Sequence, residues 1–273
     1  MQAAAERVPG LRREAVFNGV RTSALAGDLT SVRCKGRWLP WGVTVDDLSG
    51  QVLTIDALSA EDAATLQAWM TPIAEQVGAR LLITDDAASF KQVAAALGLP
   101  EPLCKAHVVR TTEALMETLT SLAAQDRDGS LAPLGVTPTP AVADLEQLGR
   151  LIHHRQAEDA VSLLFLQRRY LAARVPQKGE TASIASRLRL LFLDRWHLWS
   201  KLTRYRTWRG PHGEQIAGTN NGCERGIGWW IKERYRPMRG YKREQSAVNV
   251  SRLLAWCGNQ LDRGGADLAL LLR

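Results

Sequence analysis

The spacing of apolar and polar residues predicts several short strands in the first hundred or so positions of the chain. Apolar runs of strand length lie at residues 29–32, 38–45, 51–55, 80–84 and 102–109. The second and third runs are joined by Asp46-Asp47-Leu-Ser-Gly50. Two apolar runs separated by a glycine-containing turn are typical of a β-hairpin.

Between these strands the apolar residues recur at helical spacing. Ser59 is the predicted cap of a helix that opens with Glu61-Asp62, and acidic residues favour a helix N-terminus. Its apolar positions are Leu66, Trp69, Met70, Ile73 and Val77, and Gly78 ends it. A shorter helix follows at residues 90–97. The resulting order, β-β-β-α-β-α-β, predicts an α/β protein.

From Thr111 onward the pattern is helical almost throughout. A proline-rich segment at residues 131–140 is the clear break. Helices are predicted at residues 141–157, 158–173, 181–206, 221–235 and 244–262.

Composition narrows the class of protein without identifying it. No apolar run approaches the roughly 20 residues that span a bilayer, and no signal peptide is evident. The four cysteines lie far apart and form neither a paired zinc spacing nor a disulfide framework. These features predict a protein of the reducing cytoplasm with free thiols.

The net charge of +7 is unevenly distributed along the chain. Residues 44–130 hold thirteen acidic and five basic side chains, whereas residues 187–243 hold fourteen Lys and Arg against four acids. Several tryptophans lie beside arginines in the chain. Such a basic stripe favours a nucleic-acid partner over a merely solvated basic surface.

Three acidic residues stand out as candidates for a metal site acting on a nucleic-acid phosphate. Glu224 opens a predicted helix within the basic stripe, Asp85 ends an apolar strand, and Asp28 precedes the first one. Carboxylates are the ligands that Mg²⁺ prefers, and two such ions about 4 Å apart can drive phosphoryl transfer. Two alternatives stay open, since Asp86 competes with Asp85 and Glu224 also fits a capping box with Asn221.

Three further features of the sequence bear on its structural and functional interpretation. Cys104 and His107 form a Cys-x-x-His pair, but a metal site needs two more ligands, so a structural role is favoured. On a helical wheel Cys223 and Ile231 share an apolar face, while Glu224 lies at its boundary. The segment Pro237-Met-Arg-Gly-Tyr-Lys242 combines cations with a tyrosine suited to phosphate contacts and base stacking.

Three blocks of the sequence resemble bacterial insertion-sequence transposases of the DDE type. Thr219-Asn-Asn-x-x-Glu224, followed by Lys232 and Arg239-Gly-Tyr-Lys242, resembles their C-terminal signature. Thr84-Asp85-Asp86 with Cys104-x-x-His107 is similar to their second-Asp block and to the Cys-x-x-His block of Mutator-like elements. Gly27-Asp28-x-Thr30, then Lys35-Gly-Arg-Trp38, resembles the first-Asp block. The resemblance covers about residues 25–260.

The resemblance implies an α/β, ribonuclease-H-like mixed sheet with flanking helices, interrupted by an all-helical insertion domain. The expected divisions are a leader at residues 1–24, a first core part at 25–124, the insertion at 125–212 and a C-terminal part at 213–273. Only 27 residues precede Asp28, so we expect that the N-terminal DNA-binding domain of such transposases is lacking.

The resemblance also implies an activity and its residues. Asp28, Asp85 and Glu224 would hold two Mg²⁺ or Mn²⁺ ions and catalyse cleavage and strand transfer of double-stranded DNA. The partners would be transposon ends and target DNA, bound by a homo-oligomer associated with the nucleoid. Expected DNA-binding residues are Arg225, Lys232, Arg234, Arg236, Arg239, Lys242 and Arg243.

Overall fold

The computed structural model describes residues 20–85, 87–219, 223–224, 227–232 and 241–262. The chain divides into two compact units, which are described separately. The first comprises Met1–Cys104 with Trp208–Arg273, and the second comprises Lys105–Thr207. The domain limits expected from the sequence stay a prediction.

A four-stranded mixed sheet forms the centre of the first unit. Strands β1 (Ala24–Cys34), β2 (Arg37–Asp46) and β3 (Val52–Ala57) pair antiparallel in succession, which confirms the predicted hairpin. Strand β4 (Leu81–Ile83) lies parallel to β1 on its other side. The strand order β3-β2-β1-β4 agrees with the expected ribonuclease-H-like sheet and confirms the α/β class.

Two helices flank this sheet within the first unit. Helix α1 (Ala63–Val77) is capped by Asp62, whose side chain accepts a hydrogen bond from the Thr65 backbone N–H, and not by Ser59 as the sequence suggested. Helix α2 (Ala88–Leu97) follows β4. The helical spacing of the apolar residues is confirmed, because α1 buries all five of its predicted apolar positions: Leu66, Trp69, Met70, Ile73 and Val77.

The strand predicted at residues 102–109 is wrong. The extended backbone is limited to a bridge between Thr84 and Leu103, after which helix α3 (Lys105–Gln125) begins. The buried positions of α3 include Val108, Thr112 and Leu119, which recur at helical spacing. A short apolar run fits a strand and a buried helical turn equally well, so its local pattern could not distinguish them.

The second unit is helical along its described length. It contains α3, a 3₁₀ turn at Ala132–Leu134, α4 (Pro138–His154), α5 (Ala160–Arg169) and α6 (Ile184–Thr207). In its core, the buried Tyr170 hydroxyl donates a 2.8 Å hydrogen bond to Asp144, and the Tyr170 ring stacks on Phe192 at 5.1 Å. In the described part of the chain, no helix has the length and apolar character required to cross a bilayer.

The last described helix, α7 (Glu244–Asp262), covers the outer edge of the sheet. Asn259 accepts a hydrogen bond from the Val52 N–H at 3.1 Å and donates one to the Val52 carbonyl at 2.7 Å. Arg252 donates to the Ile55 carbonyl at 3.1 Å and forms an ion pair with Asp56. These side chains replace a neighbouring strand at the edge of β3, where unpaired backbone groups would otherwise remain.

Replacing Asn259 with Ala should therefore destabilise the protein. The change leaves both Val52 backbone groups without their partner, so we expect the free energy of unfolding to fall by about 1–3 kcal/mol. Urea unfolding followed by circular dichroism measures the loss. The matched control is Asn249→Ala on the same helix, whose side chain accepts a hydrogen bond from Gln245 at the surface, and it should change stability by less than about 0.5 kcal/mol. Equal stability of the two variants would contradict the role of Asn259.

Candidate functional site

Asp28 lies within the first strand. The sequence analysis had placed it before that strand. It is the fifth residue of β1, and it pairs with Val43 of β2. Its carboxylate accepts a 2.8 Å hydrogen bond from the Leu29 N–H, and its side chain is partly buried. A central strand therefore holds this carboxylate on a rigid backbone, which is the support that a metal ligand requires.

Asp85 follows β4, the strand next to β1. The parallel pairing of these strands runs from Ala24 opposite Leu81 to Ala26 opposite Ile83. Asp28 lies two residues after Ala26, and Asp85 lies two residues after Ile83, so each aspartate follows the last pair of this register along the chain. The Asp85 carboxylate also accepts a 3.1 Å hydrogen bond from the Ala87 N–H where α2 begins. Asp86 lies outside the described residues, so the choice between the two neighbours stays open.

Glu224 reaches the same part of the sheet through the residue before it. The thiol of the fully buried Cys223 lies 3.8 Å from the Val43 carbonyl, to which it donates a weak hydrogen bond. Val43 is the residue paired with Asp28. The backbone of Glu224 is therefore held beside the sheet at the level of Asp28, and its side chain is partly buried. Asn221, the proposed capping residue, lies outside the described residues.

The electrostatics around Cys223 show that acidic groups are concentrated here. Burial raises the pKa of the Cys223 thiol well above its ordinary value, and the charges of Asp28, Asp47, Cys104 and Glu224 raise it further. Negative groups gathered around a buried thiol create a negative potential, because little water separates them. Such a potential favours a bound cation.

Cys104 is also adjacent to Glu224. Its backbone N–H donates to the Thr84 carbonyl at 3.2 Å, which fixes it next to Asp85, and its thiol lies within 4.8 Å of a Glu224 carboxylate oxygen. Cysteine, histidine and carboxylate groups all bind divalent cations. The structural role that the sequence favoured for Cys104 and His107 stays a prediction.

The predicted DNA-binding residues fall into two groups. Lys232, Lys242 and Arg243 are exposed. Arg225, Arg234, Arg236 and Arg239 lie outside the described residues.

Tyr241, expected to stack on bases, does not present its ring to solvent. It is 6% exposed and stacks on Trp41 at 6.4 Å. Its backbone exchanges two 3.1 Å hydrogen bonds with Arg33 and Lys35 at the end of β1. Tyr241 therefore fixes the start of the exposed pair Lys242 and Arg243 to the sheet.

Asp47 is a site neighbour that sequence analysis assigned only to a turn. Its partner in that turn, Asp46, accepts hydrogen bonds from Thr22, Leu48 and Ser49. By contrast, one carboxylate oxygen of Asp47 is buried without a hydrogen-bond partner among the described residues. Burial, with the nearby charge of Asp46, raises the pKa of Asp47 to about 6. The only sequence signal was the adjacency of two acids after an apolar run.

Comparison with known proteins gives no family assignment. No protein-family model matches the chain, and no curated protein matches it. Among solved structures, the HTLV-2 integrase catalytic core, in complex with magnesium and in a trimeric form, is 17% identical over 46% of this chain and 84% of that chain, with a TM-score of 0.27. The catalytic core domain of BIV integrase is 11% identical over 70% and 89% of the two chains, with a TM-score of 0.24. At such TM-scores neither likeness bears on the function of this chain.

The stability of the protein should depend on the ionisation of Asp47. A carboxyl group whose pKa is raised in the folded state contributes stability below about pH 4, and this stability is lost as the pH rises through about 6. The Asp47→Asn variant has no carboxyl group to ionise at this position, so its stability does not fall as the pH rises through about 6. In urea unfolding with EDTA present, we expect the variant to match the native chain near pH 4 and to exceed it at pH 8 by on the order of 2–3 kcal/mol.

The matched control at the neighbouring position should behave in the opposite way. Asp46→Asn weakens accepted hydrogen bonds, so it should lower the stability at pH 8. A pH-independent difference between Asp47→Asn and the native chain would contradict the raised pKa of Asp47.

Proposed function

We propose that this chain is a metal-dependent DNA strand transferase of the DDE transposase type. Asp28, Asp85 and Glu224 are its catalytic and metal-binding residues in this proposal. The proposal is supported by the β1–β4 register, beyond whose last pair Asp28 and Asp85 each lie by two residues, and by the Cys223–Val43 contact next to Glu224.

The donor set suits a hard divalent cation. Three carboxylates supply oxygen ligands and compensating charge, which is the preference of Mg²⁺ and Mn²⁺. Burial is the main cause of the raised pKa of Cys223, and the smaller contributions of Asp28, Asp47 and Glu224 come from acidic groups that a cation would neutralise. When bound, two such ions would activate the attacking oxygen and stabilise charge on the leaving oxygen of a phosphodiester.

Other residues of the chain would orient the carboxylates and bind the DNA. Asp28 is supported by the strand and Asp85 by the start of α2, so both carboxylates are orientated before DNA arrives. Lys232, Lys242 and Arg243 would contact DNA phosphates, together with the predicted arginines at 225, 234, 236 and 239. Tyr241, stacked on Trp41, would position Lys242 and Arg243 and would not contact bases itself.

The biological setting follows from this proposal. An insertion-sequence transposase acts on its own transposon ends and on target DNA, and pairing two ends calls for a homo-oligomer associated with the nucleoid. Within such a protein the helices at residues 125–212 would form the insertion domain between the second Asp and the Glu.

Each carboxylate substitution should abolish catalysis without unfolding the protein. We expect Asp28→Asn, Asp85→Asn and Glu224→Gln each to lower Mn²⁺-dependent nicking of supercoiled plasmid by at least about a thousandfold, on the order of 4 kcal/mol in the barrier. The same variants should lose Mn²⁺ binding measured by calorimetry. Glu75→Gln, an exposed acid on α1, is the matched control and should retain both.

The products of this assay separate the alternatives. Joining of a labelled 3′-hydroxyl oligonucleotide to the plasmid indicates strand transfer, whereas nicking without joining indicates a nuclease with the same core. DNA binding without metal binding or nicking indicates a DNA-binding remnant of a transposase. Full activity in all three carboxylate variants would exclude the proposed catalytic residues.

DNA affinity should decrease steeply with salt, because each phosphate contact releases counterions from DNA. For Lys242→Ala combined with Arg243→Ala, we expect the slope of log affinity against log salt to fall by about 2. Fluorescence anisotropy with a random duplex measures this slope. Lys178→Ala, at an exposed position outside the predicted stripe, should leave the slope unchanged. An unchanged slope in the double variant would remove these two residues from the contact surface.

A further inference from the structure

An apolar groove lies on the surface of the helical unit between α3 and α6. Its volume is about 350 Å³, and its exposed apolar residues are Leu115 and Leu190. These side chains are 47% and 48% exposed, respectively. Thr118, Leu119 and Leu191 complete the apolar part of the groove. Leucines this exposed beside a groove mark a surface that another apolar surface can cover.

Two opposite charges flank the groove on one helix. Arg187 and Asp194 both line it, and they lie seven residues apart on α6. Seven residues are two helical turns, so both side chains lie on one face, about 10 Å apart along the axis. The midpoint between them falls between Leu190 and Leu191. The surface is therefore positive at one end, apolar in the middle and negative at the other end.

We propose that this face, formed by Leu115, Arg187, Leu190 and Asp194, is a two-fold interface between two copies of the chain. When two α6 helices cross antiparallel about an axis between Leu190 and Leu191, each Arg187 meets the partner's Asp194. The leucines meet at the centre. A two-fold interface must be self-complementary, and a surface with opposite charges equidistant from an apolar centre meets that condition.

The neighbouring contacts leave both charges able to reach a partner. Arg187 uses its Nε to donate to the Ala182 carbonyl at 3.1 Å, and none of the ion pairs among the described residues involves its guanidinium. Asp194 is paired with Arg195, yet its side chain remains 54% exposed. A carboxylate accepts several hydrogen bonds, so Asp194 can hold Arg195 and a partner's arginine together.

A second copy accounts for this surface better than an unrelated partner does. An unrelated partner needs no relation between the two ends of the groove, whereas in a two-fold dimer the two ends meet each other, so charged ends of opposite sign attract. Apolar centres with charged rims are also typical of protein–protein interfaces. The inference does not depend on the proposed catalytic activity, because it concerns only the helical unit.

The test is the oligomeric state of the whole chain without DNA or metal. Sedimentation equilibrium from about 1 to 100 µM should show a reversible dimer for the native protein. Leu190→Glu should weaken dimerisation at least tenfold, since it introduces a charge at the apolar centre. Arg187→Glu and Asp194→Arg should each weaken it, because each faces like charges across the axis.

Exchanging both charges is the most specific test of the proposed pairing across the two-fold axis. Arg187→Glu combined with Asp194→Arg recreates opposite charges across the two-fold axis, so dimerisation should recover to within a few fold of the native value. Phe165→Glu on α5, at a position 65% exposed and outside the groove, is the matched control and should leave dimerisation unchanged. Circular dichroism confirms folding of each variant.

Two outcomes would overturn the inference. The first is a native chain that stays monomeric at 100 µM. The second is a dimer that Leu190→Glu leaves intact, or that the double exchange fails to restore. Because neither measurement uses DNA or metal, failure here leaves the strand-transfer proposal untouched.

Discussion

The contact between the buried Cys223 thiol and the Val43 carbonyl is the constraint on which the candidate site depends. It joins the end of the chain to the strand that pairs with Asp28, across 180 residues of sequence. A thiol donates only a weak hydrogen bond, so burial contributes most of the stabilisation at this position. The thiol also stays protonated, because burial and nearby acids raise its pKa. A neutral side chain can thus lie among carboxylates without adding another negative charge.

Residues of the segment 241–262 contact the sheet at two places, along the outer strand β3 and at the end of β1. Asn259 and Arg252 satisfy backbone groups of β3, and Tyr241 pairs with the end of β1. A buried or edge backbone group that lacks a hydrogen-bond partner lowers the stability of the fold. Because Asn259 and Arg252 supply these partners from α7, their contacts also fix the position of that helix against β3. The same segment that completes the sheet therefore carries Glu224 and the exposed cations Lys232, Lys242 and Arg243.

Local patterns predicted the elements that depend on neighbours in sequence. The hairpin, α1, α2 and the last helix follow from periodicity and turn residues, which act over a few positions. The segment at residues 102–109 was assigned incorrectly, because its short apolar run suits either a strand or a helix. The extended backbone is limited to the bridge with Thr84, and the helix begins at Lys105 directly after the hydrogen bond from the Cys104 N–H to the Thr84 carbonyl.

The sequence by itself determined the α/β class, the acidic and basic halves of the chain and the candidate residues, because these depend on residue types and short spacings. Only the tertiary structure decided which of those residues meet. Asp28 and Asp85 each lie two residues beyond the last pair of the parallel β1–β4 register, and Cys104 lies next to Glu224 although 120 residues separate them. The raised pKa of Asp47 is likewise a tertiary effect. Burial and charge proximity arise from packing between distant segments, which no local pattern of residues encodes.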